Sequence, residues 1–299
     1  MRRDLLTNLA MLLVAALAYG AIFPVNRIAA EAAWPPVAFA FFQTFVGGAV
    51  LAVAVRLRGQ RLVPSLRHVW SYLVIGALAM ALPAALMTLA AGHVPSVLLT
   101  LVLSLSPILT LVFAILLRLE RFRARAALAV TFGFAGVVLI AAPWSHAMSA
   151  GVAGWFLLAL LVPTMFAASN VAASLMRPPA TASLTMAAGI LLGGGLVVLP
   201  VALLVGPALL PPLITPAALV SVAAATLINA FVTVLFFEVV RRAGPTFFSM
   251  FNYAALPAGV VWSILVFGEM PPAVFWLALA IMLGGVAMAL GGGRRAAAG

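Results

Sequence analysis

Few side chains in this chain of 299 residues could do chemistry, and the types that are missing matter most. There are five acidic residues, three His and no Cys. Without Cys there is no disulfide, thiolate metal site or thiol nucleophile. Asp4 is the only Asp, so an Asp-rich magnesium site cannot be built. His68, His93 and His146 fall in loops between apolar runs and lack the His-Glu-x-x-His spacing of a zinc site. No Gly-rich Walker loop is present to cradle nucleotide phosphates. No Ser and His lie together at membrane depth, as an intramembrane hydrolase would need. The expectation is a protein that is not an enzyme, with no catalytic residue, no cofactor and no metal.

The polar groups inside apolar runs are Asn26, Gln43, Thr44, Ser104, Ser106, Ser169, Asn170, Asn229, Thr233 and Asn252. A buried amide or hydroxyl needs a hydrogen-bonding partner. In lipid that partner is either a neighbouring helix or a solute. Glu238 is the only acidic residue near the interior of an apolar run. Intramembrane carboxylates commonly serve as proton or cation sites. Arg241 and Arg242, three and four residues on, share its helix face. An ion pair at the helix end is therefore the favoured reading of Glu238, with a proton site as the alternative.

The elements that position these groups follow from composition. The chain is 66% hydrophobic and 7% charged, against roughly a quarter charged in soluble domains. Its surface must face lipid. The net charge of +11 comes entirely from Arg, with no Lys. The Arg clusters sit between long apolar runs, which reads as membrane topology and sets nucleic acid aside. Ten runs can be marked, at 5–27, 34–55, 69–91, 95–117, 126–143, 152–176, 181–205, 216–237, 245–267 and 272–292. Most reach the length a spanning helix needs. With the N-terminus placed in the cytoplasm, alternation puts fifteen of the sixteen Arg on that side, and only Arg27 opposite. That sorting obeys the positive-inside rule. It predicts a multi-pass protein of the cell (inner, cytoplasmic) membrane with both termini cytoplasmic. Arg2, Arg3 and Ala16-Leu17-Ala18 mimic a signal peptide, but the apolar run continues past them, so retention is expected.

The run from Pro95 through Ser106-Pro107 to Leu119-Glu120 recurs as Pro245 through Leu256-Pro257 to Gly268-Glu269. The Pro-to-Pro spacing is 12 in both copies, and Glu120 to Gly136 matches Glu269 to Gly285 at 16. Arg118, Arg121, Arg123 and Arg125 surround Glu120, whereas Glu269 has no Arg nearby. One unit thus carries opposite flanking charge in its two copies, the mark of an inverted repeat. The fold class expected is all-α integral membrane: ten transmembrane helices in two inverted five-helix repeats, residues 1–147 and 148–299.

Ser106-Pro107, Leu119-Glu120-Arg121 and Gly133-Phe-Ala-Gly136-Val-Val-Leu resemble the EamA repeat of the drug/metabolite transporter superfamily. The second copy, Leu256-Pro257, Phe267-Gly268-Glu269 and Gly284-Gly285-Val286, is similar, and Ala18-Tyr19-Gly20 stands at that family's small-aromatic-Gly motif. Tyr19 replaces the usual Trp, and Phe134 stands where a smaller residue or Leu is common. The resemblance covers nearly the whole chain. It implies a central cavity lined mainly by helices 1, 3, 4, 6, 8 and 9. Candidate substrate contacts are then Tyr19, Met80, Met87, Ser104, Asn170, Asn229, Thr233, Phe247, Met250 and Phe251. Pro24, Pro83, Pro107, Pro163 and Pro257 are candidate hinges or kinks, since an internal Pro removes one backbone bond and crowds the carbonyl four residues back. Trp34, Trp70, Trp144, Trp155 and Trp276 read as interfacial aromatics. Gly47-Gly48, Gly133/Gly136, Gly189/Gly193 and Gly284-Gly285 read as close helix packing, or alternatively as a dimer face.

The function implied is a secondary transporter, an exporter of small metabolites such as amino acids or amphipathic drug-like solutes, working by alternating access. Its partners would be a small-molecule substrate and membrane lipid, as a monomer or homodimer. A membrane scaffold or receptor that transports nothing, and a membrane-embedded enzyme, are the alternatives.

Overall fold

A computed structural model describes residues 2–62, 65–83, 105–122, 124–141, 150–205 and 209–268, with isolated positions at 86, 103, 276–277, 280–281 and 284. Every regular element among the described residues is helical. In chain order they are α1 (Arg2–Gly20), α2 (Ile22–Glu31), α3 (Pro36–Leu57) and α4 (Leu66–Gly76), which runs into a π turn over Ala77–Ala81. Then come α5 (Ser106–Leu116), α6 (Ala124–Ala141), α7 (Ala150–Ala159), α8 (Leu161–Leu175) and α9 (Ser183–Val205). The last are α10 (Pro216–Ala243), α11 (Pro245–Ser249) and α12 (Phe251–Phe267).

Six stretches among the described residues are long and apolar enough to cross a membrane: Leu5–Glu31, Pro36–Leu57, Leu157–Leu175, Ser183–Leu204, Pro216–Ala243 and Pro245–Phe267. Shorter apolar helices cover Leu66–Ala81, Ser106–Leu116 and Ala126–Gly136. All fall on runs marked from the sequence. The tenth run, 272–292, lies almost wholly outside the described residues, as do Trp144, Glu269 and Gly285. One boundary is corrected. The eighth run was expected to end at 237, but α10 continues to Ala243. Glu238, Arg241 and Arg242 are therefore helical, because alternating apolar and paired charged residues extend the helix to Gly244.

Proline explains two of the helix breaks by one rule. A Pro cannot donate to the carbonyl four residues back, and its ring crowds that carbonyl. The first span breaks at Ala21, three residues before Pro24, where the Ala21 N–H bonds Ala18 O at 3.2 Å, one residue nearer than in an α-helix. The sixth run breaks at Leu160, three residues before Pro163, where the Leu160 N–H bonds Leu157 O at 3.2 Å. Buried Pro83 follows the π turn, a local widening of the helix. The other two depart from expectation. Pro107 stands in the first turn of α5, where its missing N–H has no intrahelical partner to lose. Pro257 lies inside an unbroken α12; the nearby break is at Met250. Pro200, inside α9, is a further internal Pro not singled out from the sequence.

Glycine sets the closest helix contacts. A Cβ on Gly193 of α9 would sit 2.6 Å from the backbone oxygen of Tyr72 on α4, and one on Gly189 would collide with the Tyr72 ring. Gly76 of α4 meets the Gly194 backbone, Gly195 meets Phe45 of α3, and Gly48 of α3 meets the Leu192 backbone. Small residues permit this approach in lipid. Gly47, Gly48, Gly189 and Gly193 thus pack within the chain. Gly284, by contrast, meets nothing within 4 Å among the described residues. On the Arg-rich side, Leu12, Ala15 and Ala16 (α1), Ile75 (α4), Met186 and Ile190 (α9), Phe237 and Val240 (α10), Phe248 (α11), and Phe251 and Ala255 (α12) form one buried core.

Candidate functional site

The break at Ala21 leaves a carbonyl to fill. Leu17 O would accept from Ala21 in a regular helix; here it accepts the indole N–H of Trp262 at 2.9 Å. That bond fastens α12 to α1 beside a backbone crossing, where a Cβ on Gly20 would lie 2.7 Å from the Ala258 backbone. Just before the crossing is Tyr19. Its ring meets Phe251 edge-on at 5.3 Å and Phe23 at 6.4 Å. Phe251 stacks on Phe248 at 5.0 Å, and Phe248 leans on Phe236 at 4.6 Å. Phe247 packs against the same cluster. Three expected cavity residues, Tyr19, Phe247 and Phe251, are thus brought together.

The others lie elsewhere. Met250, one residue from Phe251, turns away to pack with Leu111 of α5 and Val130 of α6. Met80, in the π turn, faces Gly194 of α9. The two buried amides bond across helices. Asn170 Nδ2 (α8) donates to Thr110 Oγ1 (α5) at 3.2 Å, and Asn229 Nδ2 (α10) donates to Gln43 Oε1 (α3) at 2.6 Å. Thr233 is buried on α10. Met87 and Ser104 fall outside the described residues. Ser106 Oγ, at the start of α5, is buried with no hydrogen-bond partner.

Residues 6–142 match the model of the EamA-like transporter family. Over this stretch the chain is similar to an EamA unit. No curated protein matches the chain. Among 28 solved chains that match, one, described only as "Crystal structure of protein", aligns with a TM-score of 0.81. It is 20% identical and covers 97% of this chain and 99% of its own. At that identity the likeness speaks for the fold alone. The long apolar helices make this a multi-pass membrane protein, and its residues 6–142 are similar to a transporter family.

The EamA unit contributes Tyr19, Pro24, Met80, Pro83 and Pro107, and its last described turn carries Glu120. The Glu120 Oε1 accepts the backbone N–H of Thr246 at 3.2 Å, joining the EamA unit to α11 across 126 positions of sequence. The sequence marked Glu120 by its place in the internal repeat and by its Arg neighbours; nothing in it pointed to Thr246. Outside the unit, Glu238 accepts hydrogen bonds from Arg241, Arg242 and Ser183, the last at 2.8 Å. Ser183 also receives Arg177, whose guanidinium bonds Thr181 O and Phe237 O. This is a closed ionic cluster at the Arg-rich end of α10. On the opposite side Arg27 pairs with Glu31 at 3.0 Å and covers the Phe267 ring at 4.1 Å.

Two pockets lie on the described residues, and none of the expected cavity residues lines either. One of about 570 Å³ is apolar and lies between Trp34, Phe42, Leu210, Ile214, Val222 and Leu227. The other, about 400 Å³, is bounded by Leu66, Arg67, Trp70, Ser71, Leu175 and Met176. Trp34 corrects a further expectation. It is buried, 8% exposed, and donates to Ala218 O at 3.0 Å, because the α2–α3 turn folds it onto the start of α10. Trp70 and Trp276 are exposed as interfacial aromatics are.

Proposed function

We propose that this chain is a secondary transporter that exports small metabolites by alternating access between two inverted five-helix repeats, 1–147 and 148–299. In this reading ten helices cross the cell membrane with both termini cytoplasmic. The observation that carries it is the match of residues 6–142 to a transporter family, joined to the recurrence of the same Pro/Glu unit, with opposite flanking charge, over 245–285. A unit inserted in both orientations suits a binding region opened to each side in turn.

The solute class follows from what surrounds Tyr19. The neighbours are Phe23, Phe248 and Phe251, with amides and hydroxyls as the polar groups at depth. Apolar rings with a few neutral polar groups suit amphipathic, zwitterionic or neutral solutes. Phosphorylated sugars would want Arg at that depth, and the Arg residues of the chain lie near helix ends. Tyr19, Phe247 and Phe251 would contact solute, with Asn170, Asn229 and Thr233 shaping the walls. Glu238 acts as an anchor of the ionic cluster rather than a proton relay, since three partners already hold its oxygens.

The test is uptake and release in reconstituted vesicles with amino acids, an amphipathic cation and a sugar phosphate. Transport of either of the first two, reduced by Tyr19→Ala, is the expected result. Transport of the sugar phosphate alone would sink the solute class. Binding without release across the membrane would favour a receptor.

A further inference from the structure

Towards the Arg-rich side of the bundle, Leu12, Ala16, Phe237, Phe248 and Phe251 pack into one buried core. Polar links across the two halves lie on the same side: Ser71 Oγ to Met176 O at 2.6 Å, Thr185 Oγ1 to Gln60 Oε1 at 2.9 Å, and His68 Nε2 with Thr181 Oγ1 at 3.0 Å. These three sit at the ends of α3, α4, α8 and α9, beside the glycine contacts between α3, α4 and α9. The Glu120–Thr246 bond differs in place and kind. It uses a carboxylate, and it grips the turn that leads directly into Phe248 and Phe251.

The local geometry is built for that grip. Arg118 ends α5 in the left-handed region at φ 57°, and the N–H groups of Leu119 and Glu120 both bond Ala114 O, at 2.8 and 3.2 Å. The Glu120 backbone is thereby fixed at the helix end. Opposite it, Gly244 adopts φ 87°, a conformation that L side chains rarely take. A Cβ there would lie 2.8 Å from Glu120 Oε1. Gly244 is needed both for the turn and for room beside the carboxylate. Pro245 has no N–H, so Thr246 offers the first backbone donor of α11. Thr246 is 2% exposed and, among the described residues, its hydroxyl is buried without a partner. A bond to a charged acceptor is stronger than a neutral one.

We propose that Glu120 is the positioning residue that keeps the Arg-rich side closed, clamping the α10–α11 turn of the second half onto the end of α5. This rests on the transporter reading above.

The test uses the absence of Cys, which gives single-Cys labelling no background. Ala255→Cys places a thiol in the closed core, where the residue is 3% exposed. Ala225→Cys places one in the buried cluster around Trp34 and Ala218, away from the clamp. A membrane-impermeant maleimide is applied to the Arg-rich face in vesicles. Glu120→Gln is expected to speed labelling at position 255 about tenfold and leave position 225 slow, and Gly244→Ala to do the same. Unchanged labelling at 255 in Glu120→Gln overturns the proposal. So does faster labelling at both positions, which means general loosening. Labelling needs no solute, so the clamp can fail while transport stands, and the transport reading can fail while the clamp is still measured.

Discussion

Trp262 reaches from α12 to the carbonyl of Leu17, the one group that the break of the first span leaves open to it. Pro24 and Trp262 therefore act as a pair, although 238 residues separate them. The Pro breaks the helix, and the indole fills the acceptor. Trp262→Phe keeps the ring and removes the donor. The expected loss is about 0.5–1 kcal/mol, the net worth of one hydrogen bond, kept modest by the weak net value of such bonds in membranes. Thermal unfolding of purified protein reads it.

Gly193 lies so close to the Tyr72 backbone that any side chain there must move a helix, while a side chain on Gly189 would displace the Tyr72 ring. Gly193→Leu is expected to destabilise by several kcal/mol, beyond the roughly 1–3 kcal/mol of ordinary overpacking, because the obstacle is backbone. Gly284→Leu, facing open space among the described residues, is expected to leave stability within about 0.5 kcal/mol of the parent. Equal losses for the two would mean that α4 and α9 do not meet as described.

Gln43 and Asn229 form a short amide pair between α3 and α10. A double-mutant cycle with Gln43→Leu and Asn229→Leu should give a coupling of about 0.5–2 kcal/mol. A coupling near zero would show that each amide has another partner, solute or water included.

Glu238 is held by Arg241, Arg242 and Ser183. Glu238→Gln keeps the shape and removes the charge. Gradient-driven transport is expected to persist, with stability lowered by no more than about 1 kcal/mol, as for other partly exposed ion pairs. Loss of proton-driven transport with intact solute binding would restore the carboxylate as a proton site.

The spans were legible because length and apolarity alone define them, and Arg placement sorted the loops. The Gly189/Gly193 spacing announced helix packing, and the neighbours of Glu238 announced an ion cluster. What stayed hidden was direction. A helix apolar on every side carries no face signal, so nothing in the sequence says that Phe251 points to Tyr19 while Met250, one residue away, points to Leu111 and Val130. Pro257 looked like Pro24, yet only Pro24 lies beside a helix break, and no residue type marks the difference. Glu120 was read as a loop charge because its partner is a backbone N–H, which no residue type advertises.

The glycine contacts of α4 and α9 have a mechanical meaning. Backbone lies against backbone there, with no side chain in between to bend or change rotamer. Two rods fused in that way cannot slide past each other without first separating. One belongs to the first half of the chain and the other to the second. In the transporter reading, rocking of one repeat against the other then pivots about this α4–α9 contact.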